Sequence, residues 1–172
     1  MRTSESARMA SAAGARFRIQ APNSRPRAVK IIALDAASEH LVKRLARSSW
    51  NAASFFTASA FAGASQPQDA RFSMTGWLSD LAGRTKNLID EIASADLVVM
   101  VASAGENAEA AAIIGEACSL RRVSTTGLMV DCAGKSDAAL ARTLAQLRPW
   151  SLMLVIADDD QYVEDMLVAL RA

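Results

Sequence analysis

The stretch that most limits what this chain can fold into is Ala95–Cys132, ADLVVMVASAGENAEAAAIIGEACSLRRVSTTGLMVDC. An almost unbroken apolar run over Asp96–Ser103 leads through a short loop into an alanine-rich helical pattern. A second apolar run follows over Val123–Asp131. Strand, helix and strand in that succession predict a parallel pair joined by a crossover helix, a unit that is right-handed almost without exception. A strand that is apolar at every position, not at alternate ones, needs cover on both faces. The unit therefore requires a sheet with helices above and below it.

The rest of the chain extends the same pattern. Ala28–Leu34 reads as the first strand, with Asp35 or Ser38 placed to cap a helix whose apolar side is Leu41, Val42 and Leu45. Ser54–Phe61 reads as the second strand, and Arg71–Met74 as a short edge strand in a loop through Gly63, Pro67 and Gly76. Leu78, Leu81, Leu88 and Ile92 predict a long helix over Trp77–Ser94, with Gly83 its weak point. A helix over Glu106–Leu120 would turn Ala110, Ile113, Ile114, Ala117 and Cys118 inward. Ser136–Leu147 is the next helix, stopped by Pro149. Trp150–Ala157, again almost continuously apolar, predicts a last strand buried on both faces. Asp160–Arg171 closes the chain as a helix with Val163, Met166, Leu167 and Leu170 apolar. Together these give an α/β fold: a doubly wound, mainly parallel sheet of five to six strands with helices on both faces, a Rossmann-like three-layer sandwich.

At 172 residues the chain suits a single domain, placed at 28–172. Residues 1–27 hold six arginines against one acid, out of totals of 19 basic and 18 acidic residues, so the body carries 13 basic and 17 acidic. That first stretch has no periodic apolar face and reads as a disordered basic extension. It also lacks the apolar core of a secretory signal. No apolar run approaches the ~18 residues of a membrane helix. The mildly acidic body argues against nucleic acid. With two cysteines, Cys118 and Cys132, and one histidine, His40, there is no disulfide framework, no metal spacing and little material for a Ser-His-Asp triad. A reducing cytoplasm is the expected setting.

Chemistry in such a sheet gathers at the carboxyl ends of its strands. Those ends offer Asp35 and Ser38 after the first strand, then Ser103, Gly105, Glu106 and Asn107 at a helix N-terminus suited to an anion. Glu106 and Glu109 would occupy that helix's first turn, satisfy its dipole and repel a phosphate. Gly134-Lys135-Ser136 has the ending of a phosphate loop, but Met129 stands where the loop's first glycine belongs, so Ser136 also reads as a plain helix cap. Asp158-Asp159-Asp160, with Asp35 or Asp131, could hold Mg²⁺, or Asp158 and Gln161 could form a capping box. His40 falls near the same rim without an evident partner.

With these elements in place the chain resembles the nucleotide-binding domain of the tubulin/FtsZ superfamily. The likeness is carried by ADLVVMVASAGENAEAAAIIGEACSLRRVSTTGLMV, where the family has an alanine–aspartate pair opening a buried strand, a glycine-rich phosphate loop, an alanine-rich helix and a strand. AVKIIALDAASEHLVKRL and LRPWSLMLVIADDD echo the first glycine-rich loop and the later strand. Where the family has glycines and threonines, this chain has Ala104–Ala110, with one glycine and two glutamates. The first loop, Asp35–Glu39, has no glycine. The family also continues into a central helix and a second domain beyond the span matched here. The resemblance thus implies a truncated, degenerate relative that neither hydrolyses GTP nor polymerises.

The resulting expectation is a non-catalytic domain that acts through protein contacts, as a homo-oligomer or with a protein partner, and needs no cofactor. The alternatives are a nucleotide- or small-molecule-binding domain using the strand-end rim around Ser103–Asn107 and Lys135–Ser136, and Mg²⁺-dependent chemistry on the acidic rim.

Overall fold

A computed structural model describes residues 26–58 and 77–172. In chain order the elements are β1 (Val29–Ala33), α1 (Ala36–Leu45), β2 (Ala53–Thr57), β3 (Trp77–Asp80), β4 (Thr85–Asn87) and α2 (Leu88–Ala93). They continue as β5 (Leu97–Ser103), α3 (Ala110–Arg121), β6 (Ser124–Val130), α4 (Asp137–Leu147), a 3₁₀ turn (Arg148–Trp150), β7 (Met153–Ile156) and α5 (Asp160–Ala169). The strands form one seven-stranded sheet in the order β4-β3-β2-β1-β5-β6-β7. β2, β1, β5, β6 and β7 run parallel, and β3 and β4 add an antiparallel hairpin at one end.

From β1 the chain winds outward through β2, β3 and β4, then returns to β5 and winds the other way. The strand order therefore reverses between β1 and β5. Leu88 and Ile92 of α2, Ile114 and Cys118 of α3 and Leu147 of α4 pack on one face of the sheet, with Ile32, Met100 and Met129. Leu41 and Val42 of α1 and Val163 and Leu167 of α5 cover the other, against Ile31, Val99 and Leu128. Three layers result, as the sequence predicts, and β5, an inner strand between β1 and β6, is buried at every one of its residues.

Four expectations change. Residues 77–93 fold as a hairpin and a short helix, not one long helix. The Asp80 carboxylate accepts from Ala82 N, Arg84 N and Arg84 Nε at 3.0, 2.9 and 2.7 Å, and Gly83 takes the left-handed φ of +77° that the turn needs. Asn87 then caps α2. This hairpin raises the strand count to seven. Second, α3 begins at Ala110, so Glu106 and Glu109 precede it. Third, Ile113 faces out and Ala111 and Gly115 face in. Fourth, β7 is an edge strand, half-exposed where continuous burial is expected. The second strand ends at Thr57, while its predicted extension to Phe61 and the Arg71–Met74 strand lie outside the described residues. The predicted basic extension also lies outside them except for its last two residues, where Arg27 N donates to Arg171 O at 3.0 Å.

Candidate functional site

The crevice at the strand reversal is bounded by the end of β1 and the end of β5, the place where open α/β sheets bind ligands. Asp35 sits in it and is nearly buried, at 7% exposure. Its Oδ1 accepts from Ser38 N at 2.7 Å, and Asp35 N donates back to Ser38 Oγ at 3.3 Å, closing a capping box on α1. Its Oδ2 accepts from Ser103 N at 2.9 Å, tying the end of β1 to the end of β5. Ser103 Oγ in turn donates to Asp131 Oδ2, at the end of β6, at 3.0 Å. Of the strand-end candidates, Asp35, Ser38 and Ser103 thus come together, and they bond to each other and to Asp131.

The loop after β5, where a phosphate would lie, is closed by α4. Gly105 N donates to Thr143 Oγ1 at 2.9 Å, and the same hydroxyl donates to Glu106 O at 3.2 Å. Ala108 N donates to Gln146 Oε1 at 2.7 Å, while Gln146 Nε2 reaches Asn107 Oδ1 at 3.3 Å. Ala104 N and Glu106 N go to Val130 O and Ser103 O, and Glu109 N goes to Asn107 Oδ1. Gly105 has φ +88°, and a Cβ on it would stand 3.3 Å from Ala139 Cβ of α4. Backbone amides that a phosphate would need are therefore bonded to the protein's own side chains and carbonyls. Glu106, Glu109 and Asn107 face solvent, and the predicted acidic first turn of α3 does not exist because the helix starts later.

The other predicted residues lie apart from this closure. Ser136 caps α4 through Ala139 N at 3.3 Å, the plain reading of Gly134-Lys135-Ser136. Lys135 is exposed and forms no ion pair among the described residues. The three consecutive aspartates diverge. Asp158 Oδ1 accepts from Cys132 N at 2.6 Å, Asp159 caps α5 through Gln161 N at 2.9 Å, and Asp160 pairs with Arg44. The cap of α5 is thus Asp159, not Asp158. Among the described residues no group of three His, Cys, Asp or Glu side chains is arranged to hold a metal ion. Burial, then the carboxylates of Asp158 and Asp131, push the Cys132 thiol pKa up.

Between α1 and α5, beside this rim, lies a cavity of about 310 Å³ lined in part by His40, Arg44, Asp131, Asp158 and Asp159. A second, of about 450 Å³, opens at the opposite end of the sheet around Gly115, Arg122, Trp150 and Leu152. Sequence reasoning misses Thr143 and Gln146. The signal for Thr143 is present, however: it shares the inward stripe of α4 with Leu140, Leu144 and Leu147, and a hydroxyl at 0% exposure needs a partner.

No protein-family model and no curated protein matches this chain. Its architecture is a Rossmann-like three-layer α/β fold, and among the described residues no helix is long and apolar enough to cross a membrane.

Proposed function

We propose that the protein is a non-catalytic α/β domain, related to the nucleotide-binding domain of the tubulin/FtsZ superfamily, that acts in the cytoplasm through protein contacts and neither binds nor hydrolyses GTP. The bonding of Gly105 N and Ala108 N to Thr143 and Gln146 carries this reading. A triphosphate would have to break both bonds and approach the exposed Glu106 and Glu109. Thermal denaturation of the full chain with 1 mM GTP, GDP, NAD or FMN, each with Mg²⁺, tests it. No shift is expected. A ligand with a Kd near 10 μM would stabilise the fold by about 2.7 kcal/mol at that concentration, and such a shift would overturn the reading.

The 310 Å³ cavity favours a second reading, a small-molecule site on the same rim. Under that reading a compound library yields a ligand whose stabilisation disappears in His40→Ala while the fold persists.

A further inference from the structure

The reading above leaves open which partner is contacted, and the sheet edge supplies an answer that rests on that reading. β7 is the last strand in the sheet and has no neighbour on its outer side among the described residues. Edge strands are normally blunted by charge, proline or cover. Here Leu152–Ala157 reads LMLVIA, with no charge and no proline. Leu152, Met153 and Ile156 are 83%, 40% and 54% exposed. Leu152 N donates to Thr125 O of β6 at 3.1 Å. Leu152 precedes the strand; within it, Ala157 N donates to Met129 O of β6 at 2.9 Å, so by two-residue alternation Val155 also bonds inward while Leu154 and Ile156 direct their N–H and C=O groups to the open side.

Charge sits at the two ends of this apolar edge, with opposite signs. Arg148 is exposed just before β7, and Arg122 lines the cavity beside Leu152. Asp158 and Asp159 are exposed just after the strand. None of these four forms an ion pair among the described residues.

We propose that two copies of the chain associate about a two-fold axis, with β7 pairing antiparallel to β7 of the second copy. Centred on Leu154, this register sets Leu154 of each copy against Leu154 of the other for backbone bonding. It sets Leu152 against Ile156 on one face, since alternate residues share a face. The inverted order brings the arginine end of each strand to the aspartate end of the other. A parallel pairing would set like charges together. The contact is self-complementary and closes as a dimer instead of propagating.

Sedimentation equilibrium of the full chain at low salt tests the proposal, with an expected mass twice the chain's 18.2 kDa. Leu152→Lys with Ile156→Lys is expected to give a monomer with unchanged circular dichroism. Arg148→Glu, outside the strand and exposed, is expected to weaken the dimer about tenfold, an effect that shrinks in high salt. If the double variant fails to fold, Arg148→Glu decides alone. A monomeric wild type at about 100 μM, or a dimer indifferent to these substitutions, overturns the proposal. A monomer that still ignores nucleotides overturns only the pairing; a dimer that binds GTP overturns only the function proposed above.

Discussion

At the β1/β5 crevice the strand ends are bonded to neighbouring elements, whereas at the β7 edge the strand is open, apolar and flanked by opposite charges. The crevice is where this architecture ordinarily takes a ligand, and here the N–H groups of Ser103, Gly105 and Ala108 bond to Asp35, Thr143 and Gln146. The edge is what such a sheet ordinarily hides, and here no described residue covers it. The contrast separates two uses of one scaffold. Polar atoms at the crevice hold strand ends together, while Leu152, Met153 and Ile156 at the edge stay exposed among the described residues.

The difference can be broken from the crevice side first. Asp35→Ala leaves the N–H groups of Ser38 and Ser103 without their carboxylate, in surroundings with little access to water. Two charge-assisted bonds lost at once should cost about 3 kcal/mol or more in urea denaturation. Thr143→Val keeps the shape of the side chain but removes the acceptor of Gly105 N and the donor to Glu106 O. It should cost about 1–2 kcal/mol. At the edge, by contrast, Leu152→Lys should change the stability of the single chain by no more than about 0.5 kcal/mol. A large loss there would mean that the edge is structural after all.

The two thiols sharpen the same contrast. Cys118 lies on the inner side of α3, and burial pushes its pKa up to about 12, whereas Cys132 sits part-buried at the rim. In the unfolded chain Cys118 ionises near its ordinary 9.0, so the folded state retains a proton that the unfolded state has lost. This contribution is complete below the ordinary thiol range and declines as pH rises toward 12. Cys118→Ala should flatten that alkaline decline in a pH series of thermal melts. A thiol reagent at pH 8 should modify Cys132 first and leave Cys118 untouched in the native protein.

Much of the fold was legible because its signals are local or redundant. The continuous apolar run of β5 implies cover on both faces, and burial at all seven positions agrees. The cap of α4 at Ser136 follows from residue type, and residue type narrows that of α1 to Asp35 or Ser38, of which the structure has Asp35. β7 carries the same kind of run but stands last in the sheet. Composition records how apolar a strand is, not how many neighbours the topology gives it. In residues 77–93 the helical spacing of Leu78, Leu88 and Ile92 arises from a hairpin and a helix that both bury their leucines against the sheet. The turn chemistry of Asp80 and Gly83 overrides the period. Backbone and side-chain bonds from Arg84, then one from Ala82, hold the Asp80 carboxyl below its ordinary range.

The crevice was legible as a place but not as a closed one. Asp35 and Ser103 are adjacent only because β1 and β5 pair, 68 residues apart in the chain. The loop's partners, Thr143 and Gln146, lie on α4, three elements later. Glu106 and Glu109 are conspicuous in the sequence by their charge, while the groups that close the loop are an ordinary threonine and glutamine.

Amide hydrogen exchange at Gly105 and Ala108, followed by NMR, tests that closure most directly. In the native protein both amides should exchange at least about a hundredfold slower than in an unstructured chain, and Thr143→Val should selectively release Gly105. Exchange at the unstructured rate for both amides, in a protein otherwise folded, would mean that the loop is open and that the crevice is free to take a ligand.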